Sequence, residues 1–408
     1  MNGGDVGRIS YLDALRGIAA LQVLLLHFVT GYYPSIASHK SPMAFLYDGA
    51  SAVFIFFTLS GYVLTAAFAK TEAPFVSQAV NRTLRLGIPV AASVAFSAVL
   101  FAVFAGYNVA AGEITGSAWL STYWSPPIDR WFGRDAFDAL FIGYGESSMF
   151  RWFGVSAANL PALPSAFNAP LWTLSVELYG SFLIFALNIA QRRNTRLWLV
   201  LLIALAVVLC RSPLICFLAG HLAARYRLAV IPASRIWPTL LIVVGVLSCL
   251  SSIYWHPEFL VRACAASSQI VLPCYGNPQS LQRIAGSIMI TLGIMRSDGA
   301  RALLGRGRIE RLGALSFPIY LVHWPIVFGL SAFVTVLLAP IIGPTTATLS
   351  AVVLGVIATW LTASVFIEVD AVAKLAARAT RSGKRRQKIT AIASQGVQEE
   401  SRRSSAGA

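Results

Sequence analysis

The chain has 408 residues, of which 57% are hydrophobic and only 12% charged, with a mean hydropathy of +0.68. An ordinary soluble domain carries roughly 25% charged residues, so this composition excludes a soluble globular protein and predicts an all-α polytopic membrane protein. The formal charge of +15 lies mostly between helices and in a tail, where positive charge sets membrane orientation, so a lipid bilayer and no nucleic acid is the expected partner.

The first predicted helix, 12–34, contains RGIAALQVLLLH at residues 16 to 27. It lacks a small-x-small cleavage site and is interrupted by Arg16 and His27, so it reads as a retained membrane helix and not a signal peptide. Arg16 and His27 are eleven residues apart, about three full turns, which puts both on one face and roughly 16 Å apart along the axis. A snorkelling arginine and a hydrogen-bonded core histidine would be the structural reading. Titratable groups in lipid are costly and by default mark a functional path, and their alignment on one face favours that alternative.

Further apolar runs predict helices near 49–69, 87–107, 171–190, 197–210, 213–224, 236–254, 278–295, 312–337 and 345–368, about ten in all, the sixth and eighth short and weakly bounded against the ~20 residues that a span needs. With the N-terminus cytoplasmic, 25 of the 32 Lys and Arg residues fall on the cytoplasmic side and seven on the other, so both termini are expected to be cytoplasmic. Residues 1–370 form one predicted membrane domain. Residues 371–408, with SGKRRQK at 382–388, read as a basic, disordered cytoplasmic tail held near anionic headgroups.

Between the helices, NRTLRLGIP at 81–89 carries Arg82 and Arg85, three apart and so neighbours on a helix, at the expected cytoplasmic mouth of the third span. Such a pair suits phosphate groups, and ordinary positive-inside anchoring explains it equally well. Segment 108–170 is the longest predicted loop and falls outside. Trp119, Tyr123, Trp124, Trp131 and Trp152 give it either an interfacial belt or an acceptor-binding surface.

PLWTLSVELYG at 170–180 places Glu177 beside Trp172, Ser175 and Tyr179, where a carboxylate could orient or charge-pair with a histidine. A first-turn acid complementing the helix dipole is the plainer alternative, but Glu177 is about two turns in, too deep for much of that effect. The cysteines at 210, 216, 249, 264 and 274 have no metal-like spacing, so no metal is expected, and Cys264 and Cys274 could pair only in an oxidising compartment. SFPIYLVHWP at 316–325 sets Tyr320 and His323 one turn apart in a helix interrupted by Pro318 and Pro325, a pattern common in cavity-lining helices.

In this order, YLDALRGIAALQVLLLHF (11–28), AVFIFFTLSGYVLT (52–65), NRTLRLGIP (81–89), PLWTLSVELYG (170–180) and LGALSFPIYLVHWPI (312–326) resemble the acyltransferase-3 family of integral membrane acyltransferases. The resemblance implies transfer of an acyl group, usually acetyl, from acyl-CoA as co-substrate to a hydroxyl of a carbohydrate or glycolipid acceptor of the envelope, with no bound cofactor and in the bacterial inner (plasma) membrane. By motif position, Arg16 and His27 are the catalytic pair with Glu177 beside them. Arg82 and Arg85 sit near the CoA phosphates, and Trp172, Tyr320 and His323 line the site. His27 would be the general base on the acceptor hydroxyl or, less favoured, carry the acyl group itself.

Three departures concern the acceptor more than the reaction. Phe54 stands where many members have Asp, Leu178 replaces a second Glu, and FIEVD at 366–370 lacks a following proline. Some members append an extracytoplasmic hydrolase-like domain. Only 40 residues follow Glu368, so either the membrane domain acts alone or a separate extracytoplasmic transferase completes the reaction. A transporter or flippase of envelope precursors is the alternative class; it would show internal repeats with matching broken helices, and the sequence contains no such duplication.

Overall fold

The computed structural model describes residues 10–39, 41–69, 73–127, 131–228, 236–254, 257–267 and 278–405, with side chains described up to Ala379 except those of Trp152, Arg308 and Glu310. The protein is an all-α polytopic membrane protein, and the described residues contain no strand. All ten expected helices form: Ser10–Tyr32, Gly49–Phe68, Phe75–Phe104, Thr173–Arg193, Thr195–Leu209, Leu214–Arg225, Ile236–Tyr254, Pro278–Arg296, Gly307–Pro325 with its continuation, and Pro344–Ser405. These are called the first to the tenth helix below. Seven of the described helices are long and apolar enough to cross a membrane. The fifth and sixth are apolar but shorter, and the eighth is more polar. A further helix, Glu258–Ser267, was not expected. Cys274, and with it the possible pairing to Cys264, lies outside the described residues, and the basic segment 382–388 lies beyond the described side chains.

The third helix begins at Phe75, three turns before the expected start at 87, so Arg82 and Arg85 belong to the helix and not to a loop. Its first turns are amphipathic, which a hydropathy window scores as polar. Their polar positions are nevertheless sequestered, with Gln78 and Asn81 both buried. A helix can carry such groups below the apolar stretch where a neighbouring helix meets them.

Segment 108–170 is likewise not a surface loop. Its described residues fold into short helices at Tyr107–Thr115, Ala118–Thr122, Phe132–Phe137 and Met149–Trp152, and they insert against the third helix. Trp124 and Tyr144 are buried, and Leu140 lies beside Gly87. Backbone groups in this segment find internal partners, as burial requires. The Phe167 carbonyl accepts from Trp124 Nε1 at 2.9 Å, and the Phe167 N–H donates to the buried Asp135 carboxylate at 3.0 Å. Gly116, with φ +71°, closes the first of these helices in the left-handed region where a side chain would be strained.

The first and ninth helices lie side by side and parallel. A Cβ on Gly17 would stand 2.5 Å from Leu312 Cβ, and one on Gly313 would stand 2.4 Å from the Asp13 carbonyl oxygen. Only glycine permits that approach, and close backbone packing is how membrane helices gain contact without a hydrophobic drive between them. The contact fixes the axial register of the two helices.

The ninth helix is interrupted at Pro325, which has no N–H to give the Leu321 carbonyl. Two side chains replace it: Ser93 Oγ donates to Leu321 O at 2.7 Å and Asn168 Nδ2 at 2.8 Å. A π-helical turn, Ile326–Ser331, follows, and the Tyr32 hydroxyl donates to its Val327 carbonyl at 2.5 Å. The bend is thus held from the first helix, the third helix and the inserted segment.

Candidate functional site

Ten residues beyond the contact at Gly17 and Gly313, each of the two helices presents a histidine. With equal rise along parallel axes, about 15 Å on each, the two rings meet: His27 Nδ1 and His323 Nε2 are 2.9 Å apart, with ring planes 19° from parallel. His323 is buried at 1% exposure and its Nδ1 lies 3.0 Å from the Ile319 carbonyl oxygen, one turn back on its own helix. His27 is only partly buried. It therefore stands in front, and His323 behind.

Aromatic rings enclose the pair. Trp119 from the inserted segment stacks on His27 with centroids 5.7 Å apart and planes 13° from parallel, while Trp324 meets it edge-on at 5.2 Å. Phe328 packs on both tryptophans. The Trp324 indole nitrogen is buried and has no hydrogen-bond partner among the described residues, an expensive state for a donor. Of the aromatics in segment 108–170, Trp119 thus faces the histidines, Trp124 is core, and Trp131 is exposed.

Tyr320 links this end to the start of the fourth helix. Its hydroxyl donates to the Pro170 carbonyl and lies 2.6 Å from Thr173 Oγ1, and its ring is 5.8 Å from His323. Trp172 closes the turn Ala169–Trp172, its carbonyl accepting from Ser175 Oγ at 2.8 Å. One turn further, Glu177 forms an ion pair with Arg82, whose Nε also donates to Ser181 Oγ at 2.9 Å. Arg16 lies within electrostatic reach of Arg82 and 3.8 Å from Asp13.

The expected pairing of Glu177 with a histidine is therefore corrected. The carboxylate is buried among helices that bring a guanidinium to it, and a buried charge takes the opposite charge over a neutral ring. Arg82 and Arg85 lie three apart on the third helix, as their spacing indicates, but in different surroundings. Arg82 turns into the protein toward Glu177, while Arg85 is exposed. Leu178, which departs from the pattern of the family that the sequence resembles, is fully buried, as is Phe54 on the second helix. A carboxylate at either position would need its own cation.

Arg16 and His27 occupy the two ends of the site on one helix, as their spacing indicates. The sequence also singled out His323, Tyr320, Glu177 and Arg82, which the structure distributes between those ends. It did not single out Asn168, Ser93 and Ser181, small polar residues that act by holding others. Their only sequence signal is polarity inside apolar runs. Among the described residues, no three His, Cys, Asp or Glu side chains gather in a metal-binding group.

The family model described as an acyltransferase domain, acyltransferase-3, matches residues 9–364. No curated protein and no solved structure matches the chain.

Proposed function

Because the chain belongs to the acyltransferase-3 family and is a membrane acyltransferase, we propose that it moves an acetyl group from acetyl-CoA to a hydroxyl of an envelope or exported polysaccharide or glycolipid, in the inner membrane of a bacterium. The observation that carries this reading is the His27–His323 pair, an accessible imidazole backed by a buried one and walled by tryptophans. A ring so placed can take a proton from a hydroxyl in a site that excludes bulk water.

The donor enters from the end of the first helix that carries Arg16. Arg85 and Arg16 meet the CoA phosphates, and Arg82, fixed by Glu177, adds positive potential at the same level. The arm bearing the thioester then runs along the first helix toward His27, past Tyr320. The Trp324 N–H supplies a donor for the oxygen that becomes negative when the hydroxyl attacks the thioester carbonyl. The acceptor approaches from the end nearest Trp119.

Mass spectrometry of surface glycans from cells with the wild-type gene, with no gene and with His27→Ala tests the reading. An acetyl mass increment present only with wild type, while the variant still accumulates in the membrane, is expected. Equal acetylation by His27→Ala would overturn the assignment of the base, and identical glycans with and without the gene would overturn the proposed acceptor class and leave a flippase role standing.

A further inference from the structure

We infer that His323 is a positioning residue that holds His27 in one tautomer, leaving His27 Nε2 as the nitrogen that accepts the acceptor's proton. The inference rests on the reading above that His27 is the base, and it follows from two contacts in a row. A carbonyl oxygen only accepts, so His323 Nδ1, 3.0 Å from Ile319 O, carries a proton and donates it. In an uncharged imidazole the other nitrogen then has a lone pair, so His323 Nε2 is an acceptor. His27 Nδ1, 2.9 Å away, must be the donor in that contact. The remaining nitrogen, His27 Nε2, has the free lone pair.

The direction of this relay is set by backbone. Ile319 is one turn before His323 in a helix packed among others, so its carbonyl cannot turn away, and it fixes the tautomer of two rings in series. Fixing tautomer and orientation through the far nitrogen is a recurrent way to ready a histidine for proton transfer. The accessibilities agree, because the ring with the free lone pair is the partly buried member of the pair and the ring that orients it is the fully buried one.

The reaction balances without any further reactant. His27 Nε2 takes the proton of the acceptor hydroxyl as its oxygen forms a bond to the thioester carbonyl carbon. The carbon–sulfur bond breaks, and the proton on Nε2 passes to the departing thiolate, giving the ester and free CoA thiol. His27 Nδ1–H stays on the His323 Nε2 lone pair throughout, which steadies the imidazolium formed in between.

Two measurements test this. Nitrogen NMR of histidine-labelled protein in bilayers, with the His27 signals assigned by difference against His27→Ala, reads the tautomer directly and needs no turnover. A protonated Nδ1 and an unprotonated Nε2 are expected, with the order lost in His323→Ala; a protonated Nε2 in the wild type overturns the inference whatever the protein acylates. The second measurement is CoA release from acetyl-CoA, with isolated envelope polysaccharide as acceptor. His323→Ala should lower kcat roughly 10- to 1,000-fold with little change in the donor KM. Placing Nδ-methylhistidine at position 27 in that variant should restore much of the rate, because the methyl group forces the lone pair onto Nε2 and fills space left by the imidazole. Nε-methylhistidine should be inactive in both backgrounds. Rescue by the Nε-methyl isomer instead of the Nδ-methyl isomer overturns the inference, whereas an active His27→Ala would defeat the base reading beneath it.

Discussion

Gly17 and Gly313 meet where the first and ninth helices pack backbone against backbone, and each precedes a histidine by ten residues. The close approach sets the register and the equal spacing carries it to His27 and His323. A side chain at either glycine pushes on backbone or on the base of a neighbouring side chain, which cannot swing aside. Gly313→Val should cost about 1–3 kcal/mol from overpacking and should separate or slide the two helices. Thermal unfolding in nanodiscs together with CoA release reads both effects. Full activity in this variant would show that the register is fixed elsewhere.

The Leu321 carbonyl, left without a helical partner by Pro325, relies on Ser93 and Asn168. Asn168→Ala removes one of its two donors close to His323 and should destabilise the protein by about 1–3 kcal/mol. Activity should fall more than stability, because the carbonyl sits two residues before the ring that orients His27. Asn168→Asp, which places an acceptor against an acceptor, should be worse than alanine. The comparison of the two variants in one unfolding series checks this.

Arg82 and Glu177 are both largely sequestered, with side-chain exposures of 16% and 11%. Removing one partner strands the other charge, at roughly 3–5 kcal/mol, so Glu177→Ala and Arg82→Ala should each reduce accumulation in the membrane. The double variant Arg82→Met with Glu177→Met should recover accumulation. If the positive potential of Arg82 serves the donor, the recovered protein will still show a raised KM for acetyl-CoA, and a wild-type KM would assign the pair to structure alone.

Trp324→Phe leaves a smaller aromatic ring beside His27, Trp119 and Phe328 and removes the N–H that has no partner among the described residues. A loss of about 10²–10³ in kcat is expected if that donor meets the developing oxyanion, with stability unchanged or improved because a buried unsatisfied group is gone. Unchanged kcat would remove Trp324 from the chemistry.

Hydropathy located all ten helices because each carries an apolar run, and helical arithmetic put Arg16 and His27 on one face because both belong to one helix. Neither tool reaches between helices. His27 and His323 are 296 positions apart, and Arg82 and Glu177 are 95 apart, so periodicity could nominate these residues but not pair them. The start of the third helix is hidden from a hydropathy window because polar residues, among them the buried Gln78 and Asn81, interrupt its apolar ones. Segment 108–170 read as a loop for a related reason: its helices are too short to set a period, and its burial comes from packing against the third helix.

The separation of the two histidines also bears on biogenesis. The first helix leaves the ribosome and enters the bilayer while nearly the whole chain is still to be made, and its partner ring arrives only when the ninth helix is inserted. Until then His27 has no fixed tautomer and no back wall. On the proposed reading, a half-made or prematurely ended chain can therefore sit in the membrane without a competent site, and activity begins only when the first and ninth helices have come together.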